Sequence, residues 1–211
     1  MRHADARLER TEIAMPALIA QSHFHLAVFY VALFVCFAPE WYGSLFRRVE
    51  KGATIRDRGS HLGLILALSA GFFAAFGFVF GAPATTFGWH QHAMFWIGIA
   101  VMLAGLAFRW YAILSLGKFF TRTVATRAGQ YVVDSGPYRL IRHPSYTGGL
   151  LTFLGTGLAM TDWAALLAIM AGAVIGYGYR VRIEERALCA DLGQPYRDYM
   201  LRTKRFIPHV L

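Results

Sequence analysis

The chain has 211 residues, of which 56% are hydrophobic and only 16% charged, too few charges to clothe a water-soluble domain of this length. A net charge of +9 would point to nucleic acid in a soluble protein, but here the basic residues sit in loops between apolar runs. There they hold the loops against anionic lipid headgroups, so nucleic acid is excluded as a partner and one membrane domain is expected.

The first fifteen residues alternate Arg2, Arg7 and Arg10 with Asp5, Glu9 and Glu12 and lack the apolar core of a signal peptide. Five apolar runs follow, at about 17–38, 62–81, 93–116, 146–160 and 163–179. A membrane helix takes about 20 apolar residues, with a range of about 17 to 25. The first three runs meet that length. The fourth is short, the fifth is at the lower limit, and the two are joined only by Thr161 and Asp162. They read as a tight helical hairpin that crosses and returns, tilted or not fully spanning.

Counting Lys and Arg between the runs gives an orientation. The segment 47–60 carries Arg47, Arg48, Lys51, Arg56 and Arg58, and 117–143 carries Lys118, Arg122, Arg127, Arg139 and Arg142. The tail from Arg180 adds Arg182, Arg186, Arg197, Arg202, Lys204 and Arg205, whereas 82–92 and 161–162 carry none. Five crossings then put the basic segments on the cytoplasmic side and the N-terminus outside. The expected fold is all-α: a polytopic, multi-pass integral membrane bundle of about five transmembrane helices with cytoplasmic C-terminal helices.

Within the runs, Gly77 and Gly81, and again Gly172 and Gly176, are four apart, the spacing of a helix-packing seam. Arg109 lies deep in the third run and has two readings: a cation facing protein or water, or one that snorkels to the interface. Cys36 and Cys189 are far apart and are read neither as a disulfide nor as metal ligands. The pairs His23/His25 and His90/His92 are two apart, do not share a helical face and have no nearby carboxylate or thiol in sequence. They are read as packed or interfacial, and no metal is expected.

The strongest chemical signal lies between Gly129 and Gly149. A short β-like stretch, Gln130, Tyr131, Val132 and Val133, leads into the turn Asp134-Ser-Gly-Pro137 and then Arg142-His143-Pro144-Ser145-Tyr146. Pro144 suits the first turn of a helix, whose free N–H groups and positive dipole end make a site for a carboxylate. His143, Tyr138 and Tyr146 add polar groups and ring faces around it. A second signal is Arg180 with Glu184, four apart and so on one face if the fifth helix continues beyond the membrane, with Glu185 beside it. By itself this could be a solvated ion pair. A helix stop at Leu192-Gly-Gln-Pro-Tyr196, a second short helix and a tail through Arg205-Phe-Ile-Pro208 that folds back complete the pattern.

Gly136-Pro-Tyr-Arg139, Arg142-His-Pro-Ser-Tyr-Thr-Gly148, Arg180-x-x-x-Glu184-Glu185 and Gly193-Gln-Pro-Tyr-Arg-Asp-Tyr199 with Arg205-Phe-Ile-Pro208 together resemble the isoprenylcysteine carboxyl methyltransferase family and its phospholipid-methyltransferase-like relatives. The resemblance covers residues 103–208. It implies an S-adenosylmethionine-dependent methyltransferase with a cytoplasmic cofactor pocket. By that resemblance Gln130, Tyr131, Val132 and Val133 hold the cofactor through their backbone, and Tyr138, His143, Pro144, Ser145 and Tyr146 add contacts. Glu184 is a cofactor-binding acid and Arg180 faces the methyl acceptor, so both count as catalytic. Thr123 matches a further cofactor position loosely. Residues 93–211 are then the methyltransferase core, while 1–92 shape the entrance for a lipophilic acceptor arriving from the bilayer. Four acceptors stay open: a prenylcysteine carboxylate, a phospholipid amine, a small thiol and a free isoprenoid acid.

Two rival readings remain. A membrane reductase using NADPH, of the sterol reductase-like type, would share the His-Pro-x-Tyr piece. It would be expected to carry Asn before the Tyr and an acid soon after, where this chain has Ser145 and Gly148-Gly149. A non-enzymatic transporter or scaffold would leave His143, Arg180 and Glu184 without a role, and five helices without a repeat fit a transporter poorly.

Overall fold

The structure, a computed structural model, describes residues 16–46, 54–55, 59–120, 125–126 and 129–208. The basic residues 47, 48, 51, 56 and 58, Thr123 and the first fifteen residues lie outside that set. Among the described residues seven α-helices carry the fold: α1 (Leu18–Gln21), α2 (His23–Phe46), α3 (Ser60–Gly81), α4 (Gln91–Leu116), α5 (Pro144–Ala159), α6 (Trp163–Leu192) and α7 (Gln194–Arg202). A two-residue antiparallel pairing of β1 (Thr54–Ile55) with β2 (Ala125–Thr126) is the one β-ladder among the described residues.

The expected all-α membrane bundle is what forms. α3, α4 and α6 are long and apolar enough to cross a membrane, while the apolar part of α2, His23–Pro39, is shorter. Large apolar side chains cover the outer faces, among them Phe24, Leu66, Phe73, Ile97, Leu114 and Ile175. In water such a surface would drive aggregation; in a bilayer it is the solvated surface. Pro39 sits inside α2. There it removes a backbone donor from the helical ladder.

Glycines set the close packing between helices. Cβ atoms built on Gly98 and Gly105 of α4 would collide with the α5 backbone at Ala159 and Thr152. Those built on Gly148 and Gly155 of α5 would collide with α4 at Arg109 and Met102. The seam therefore runs on glycines seven apart on each helix, two turns, rather than on the four-residue spacing sought in the sequence. Of the two four-residue pairs, Gly172 and Gly176 do seat α6 against Ala67 and Leu64 of α3. Gly77 and Gly81 do not: a Cβ on either meets nothing within 4 Å.

The 161–162 hairpin is held by side chains rather than by length alone. Asp162 is fully buried and caps α6, its Oδ1 accepting from Ala165 N at 2.8 Å and its Oδ2 from Thr85 Oγ1 at 2.6 Å. Thr161, at φ +55°, accepts from Leu18 N at 2.8 Å through its hydroxyl. Residues 17–19, 82–87 and 161–162 thus meet at one end of the bundle. Ser60, the stretch 129–143, α7 and the tail meet at the other.

That second end exists because α6 does not stop where its apolar run does. It continues 13 residues past Tyr179 to Leu192, about 20 Å of helix at 1.5 Å per residue. Gly193, at φ +65°, ends it, and α7 turns back. The stretch 130–133 is a correction to the β-like expectation: it is irregular chain and pairs with no strand among the described residues.

Candidate cofactor and acceptor site

The site is organised where α5 begins. Gly136–Arg139 forms a single 3-10 turn, opened by Gly136 at φ +57°, and Pro144 occupies the first turn of α5 as expected. The returning tail fixes the backbone between them. Arg142 N donates to Lys204 O at 2.7 Å and His143 N to Arg205 O at 3.0 Å, a short parallel bridge. Thr147 Oγ1 donates to Phe206 O at 2.9 Å. Arg142 adds Nη1 donations to the carbonyls of Met200 and Thr203. The expected fold-back of the tail is therefore a clamp on the residues that open α5.

Glu185 completes the clamp from α6. It is 4% exposed and accepts from Arg142 Nε at 2.9 Å and from Arg205 Nη2 at 2.7 Å. A buried carboxylate is tolerable when cations and donors saturate it in this way. His143 Nε2 approaches the same carboxylate at 3.4 Å.

Its neighbour Glu184, rotated by about 100° on the helix, faces the other way. Tyr146 donates its hydroxyl to Glu184 Oε2 at 2.6 Å and accepts from Arg180 Nε at 2.9 Å. Arg180 is buried and also donates from Nη1 to Ser60 Oγ at 3.2 Å, across to the first residue of α3. The Tyr146 ring stacks on His143 at 5.6 Å and on Tyr177 at 5.0 Å between centroids, so the bridging hydroxyl is held in place by its own ring. The expectation that Arg180 and Glu184 share a face is met, and a tyrosine hydroxyl links them.

In front of this bridge opens a cleft of about 830 Å³, counting its mouth. Gln130, Tyr131, Val132 and Val133 form one wall. Tyr138, His143, Ser145, Tyr146 and Glu184 form the floor. Of the residues singled out in the sequence, Pro144 is buried behind the wall and Arg180 lies off the lining, behind Tyr146. Phe119, Phe120, Tyr196 and Tyr199 line the cleft as well and were not singled out. Tyr196 and Tyr199 stood in a quoted motif, and their three-residue spacing on a short polar helix was the available signal for an inward face. Tyr199 donates to Tyr138 O at 2.6 Å. Burial pushes its phenol up to about 12, so it remains a donor at physiological pH. Burial pushes the Tyr138 phenol upward too.

Of the two readings of Arg109, the protein-facing one holds: Nη1 donates to Ser145 O at 2.9 Å, beneath the floor of the cleft. The histidine pairs meet at the opposite end, where His25 and His92 pack edge to face at 5.0 Å. No group of three or more His, Cys, Asp or Glu among the described residues is placed to hold a metal.

An adenosyl sulfonium cofactor fits these donors and acceptors. Glu184 Oε1 accepts nothing from the described residues, so the floor offers one anionic acceptor. Phe119, Phe120 and Tyr131 supply ring faces for a purine.

Residues 96–190 match the isoprenylcysteine carboxyl methyltransferase (ICMT) family. The chain is 29% identical over 128 residues to protein-S-isoprenylcysteine O-methyltransferase B of Arabidopsis thaliana, covering 58% of this chain and 64% of that one. It is 32% identical over 114 residues to the cobalt-zinc-cadmium resistance protein CzcN of Cupriavidus metallidurans, covering 53% and 52%. The fold resembles the solved structure of the eukaryotic intramembrane Ras methyltransferase ICMT, with a TM-score of 0.58 at 23% identity over 89% of this chain and 63% of that one. The chain therefore spans about half to two thirds of the length of these relatives.

Proposed function

We propose that the chain, whose residues 96–190 match the isoprenylcysteine carboxyl methyltransferase family, is an S-adenosylmethionine-dependent membrane methyltransferase acting on a lipophilic carboxylate of the isoprenylcysteine type. The observation that carries the reading is the Tyr146 hydroxyl standing between Glu184 at 2.6 Å and Arg180 at 2.9 Å. It divides the site into a cofactor side, open to the cleft, and an acceptor side, buried behind it.

When bound, S-adenosylmethionine supplies an electrophilic methyl group, and a carboxylate acceptor needs no base to remove a proton. What the protein must do is orient. On the cofactor side, Glu184 receives amino or hydroxyl donors, the 130–133 backbone holds the length of the molecule and the aromatic wall excludes water. On the acceptor side, the planar guanidinium of Arg180 pairs with a carboxylate through two parallel donors. Ser60 fixes the angle of that guanidinium from α3, which is how residues 1–92 enter the site. Tyr146 keeps the two charged groups in register. The arrangement favours this reading over a hydride-transferring reductase because the acceptor side is a cation with a planar fork, suited to a carboxylate.

The site faces the cytoplasm in this proposal and the N-terminus lies outside, with the lipophilic acceptor arriving from the bilayer. Calorimetry in detergent micelles tests the cofactor assignment. S-adenosylmethionine should bind and NADPH should not. Glu184→Ala should weaken cofactor binding by about ten-fold, the loss of one charged hydrogen bond. Arg180→Ala should leave that affinity nearly intact while lowering turnover. Binding of NADPH without S-adenosylmethionine would contradict the assignment.

A further inference from the structure

A second concavity lies on the far side of Glu185 from the cleft. It is an open groove of about 960 Å³ between α6, α7 and the tail. Arg182 and Arg186 of α6, Arg197 of α7 and Arg205 of the tail border it, and Cys189 and Met200 form its floor with the two sulfurs 3.5 Å apart. Glu185 is the acid on its lining, and Arg142 and Arg205 already engage it. Arg182, Arg186 and Arg197 are exposed, and their side chains meet no acidic partner among the described residues. Two elements, α6 and α7, thus aim three cations into one groove without neutralising them, beside the Glu185-paired Arg205 of the tail.

The groove continues a lipid-facing surface. Leu167, Val174 and Ile175 are exposed on the outer face of α6, Ile175 at 66%. Steps of three and four residues carry that face through Tyr179 to Arg182 and Arg186. Arg182 lies seven residues beyond Ile175, about 11 Å along the helix axis, the rise that separates upper acyl chain from headgroup. We propose that this groove binds the phosphate headgroup of an anionic phospholipid whose acyl chains lie along Leu167, Val174 and Ile175. Guanidinium forks suit phosphate oxygens, and the apolar face below suits only a ligand with a hydrocarbon tail. An acidic peptide or free phosphate would use the arginines and leave that face unused. Because Arg205 also clamps Glu185, a bound headgroup would steady the tail that holds Arg142 and His143.

The test is native mass spectrometry of the full chain in neutral detergent micelles, titrated with phosphatidylglycerol and phosphatidylcholine of the same acyl composition. The first phosphatidylglycerol should bind at least about ten-fold more tightly than phosphatidylcholine. Replacing Arg182, Arg186 and Arg197 together by Gln should weaken phosphatidylglycerol by about 100-fold, from about one surface-cation contribution each. The single variant Arg186→Glu, on an exposed face, should lose most of the preference while keeping the wild-type melting temperature. Glycerol phosphate and inorganic phosphate, added in molar excess over the lipid, should not displace it. Equal binding of the two lipids, an unchanged preference in both variants, or displacement by the soluble anions would each overturn the proposal.

Discussion

Tyr146→Phe is the sharpest perturbation of the proposed site. The substitution keeps the ring, and with it the stacking on His143 and Tyr177, and removes only the hydroxyl that joins Glu184 to Arg180. Two hydrogen bonds to charged partners are lost. Each is worth about 1.5–3 kcal/mol, so the low end for the pair is about 3 kcal/mol. If that energy holds the acceptor fork against the cofactor anchor, turnover should fall by about 100-fold, at 1.4 kcal/mol per decade. Cofactor affinity should fall less, because Glu184 stays in the cleft. The assay is methyl transfer from labelled S-adenosylmethionine to a soluble prenylcysteine analogue, with kcat and cofactor affinity measured separately and the melting temperature recorded. A kcat within about two-fold of wild type in a stably folded variant would show that the bridge does not organise catalysis.

Other predictions concern the fold and its placement. Gly155→Ala should overpack the α4–α5 seam and cost about 1–3 kcal/mol, whereas Gly77→Ala, with nothing within 4 Å, should leave the melting temperature near wild type. Asp162→Ala removes the cap on α6 and the bond from Thr85, and should cost about 1–2 kcal/mol without changing cofactor affinity at the opposite end. A cysteine at the exposed Gly88, in a chain with Cys36 and Cys189 replaced, should react with an impermeant thiol reagent outside intact cells. Labelling only from the inside would reverse the proposed orientation.

Much of this architecture was legible because a bilayer imposes simple rules. Apolar runs at 62–81 and 93–116 became α3 and α4 with ends shifted by only a residue or two, since length and polarity alone decide a membrane helix. The residues that the resemblance assigns to a cofactor were legible as a motif, and Gln130 through Val133, Tyr138, His143, Ser145, Tyr146 and Glu184 do line one cleft. What stayed hidden depends on which way a helix is turned and on partners distant in sequence. Glu184 and Glu185 are adjacent and alike, yet one faces the cleft and the other the tail. Only the tertiary placement of α6 decides which. Ser60 is 120 residues from the Arg180 it touches, and no local pattern announces it. The α4–α5 seam escaped because its glycines recur every two turns rather than every four residues. The β-like stretch at 130–133 reads as a strand by composition but stays irregular: its place is against the cleft, not in a ladder.

The most direct test of the central proposal is the chemical nature of the transferred methyl. Purified protein in micelles, given methyl-labelled S-adenosylmethionine and a prenylcysteine bearing a free carboxylate, should yield a product that releases volatile labelled methanol on mild base treatment, the behaviour of a methyl ester. The release should depend on Arg180, falling strongly in Arg180→Ala and recovering little in Arg180→Lys, which keeps the charge but not the planar fork. A base-stable labelled product, or no transfer to the carboxylate by a protein that binds S-adenosylmethionine, would contradict the account.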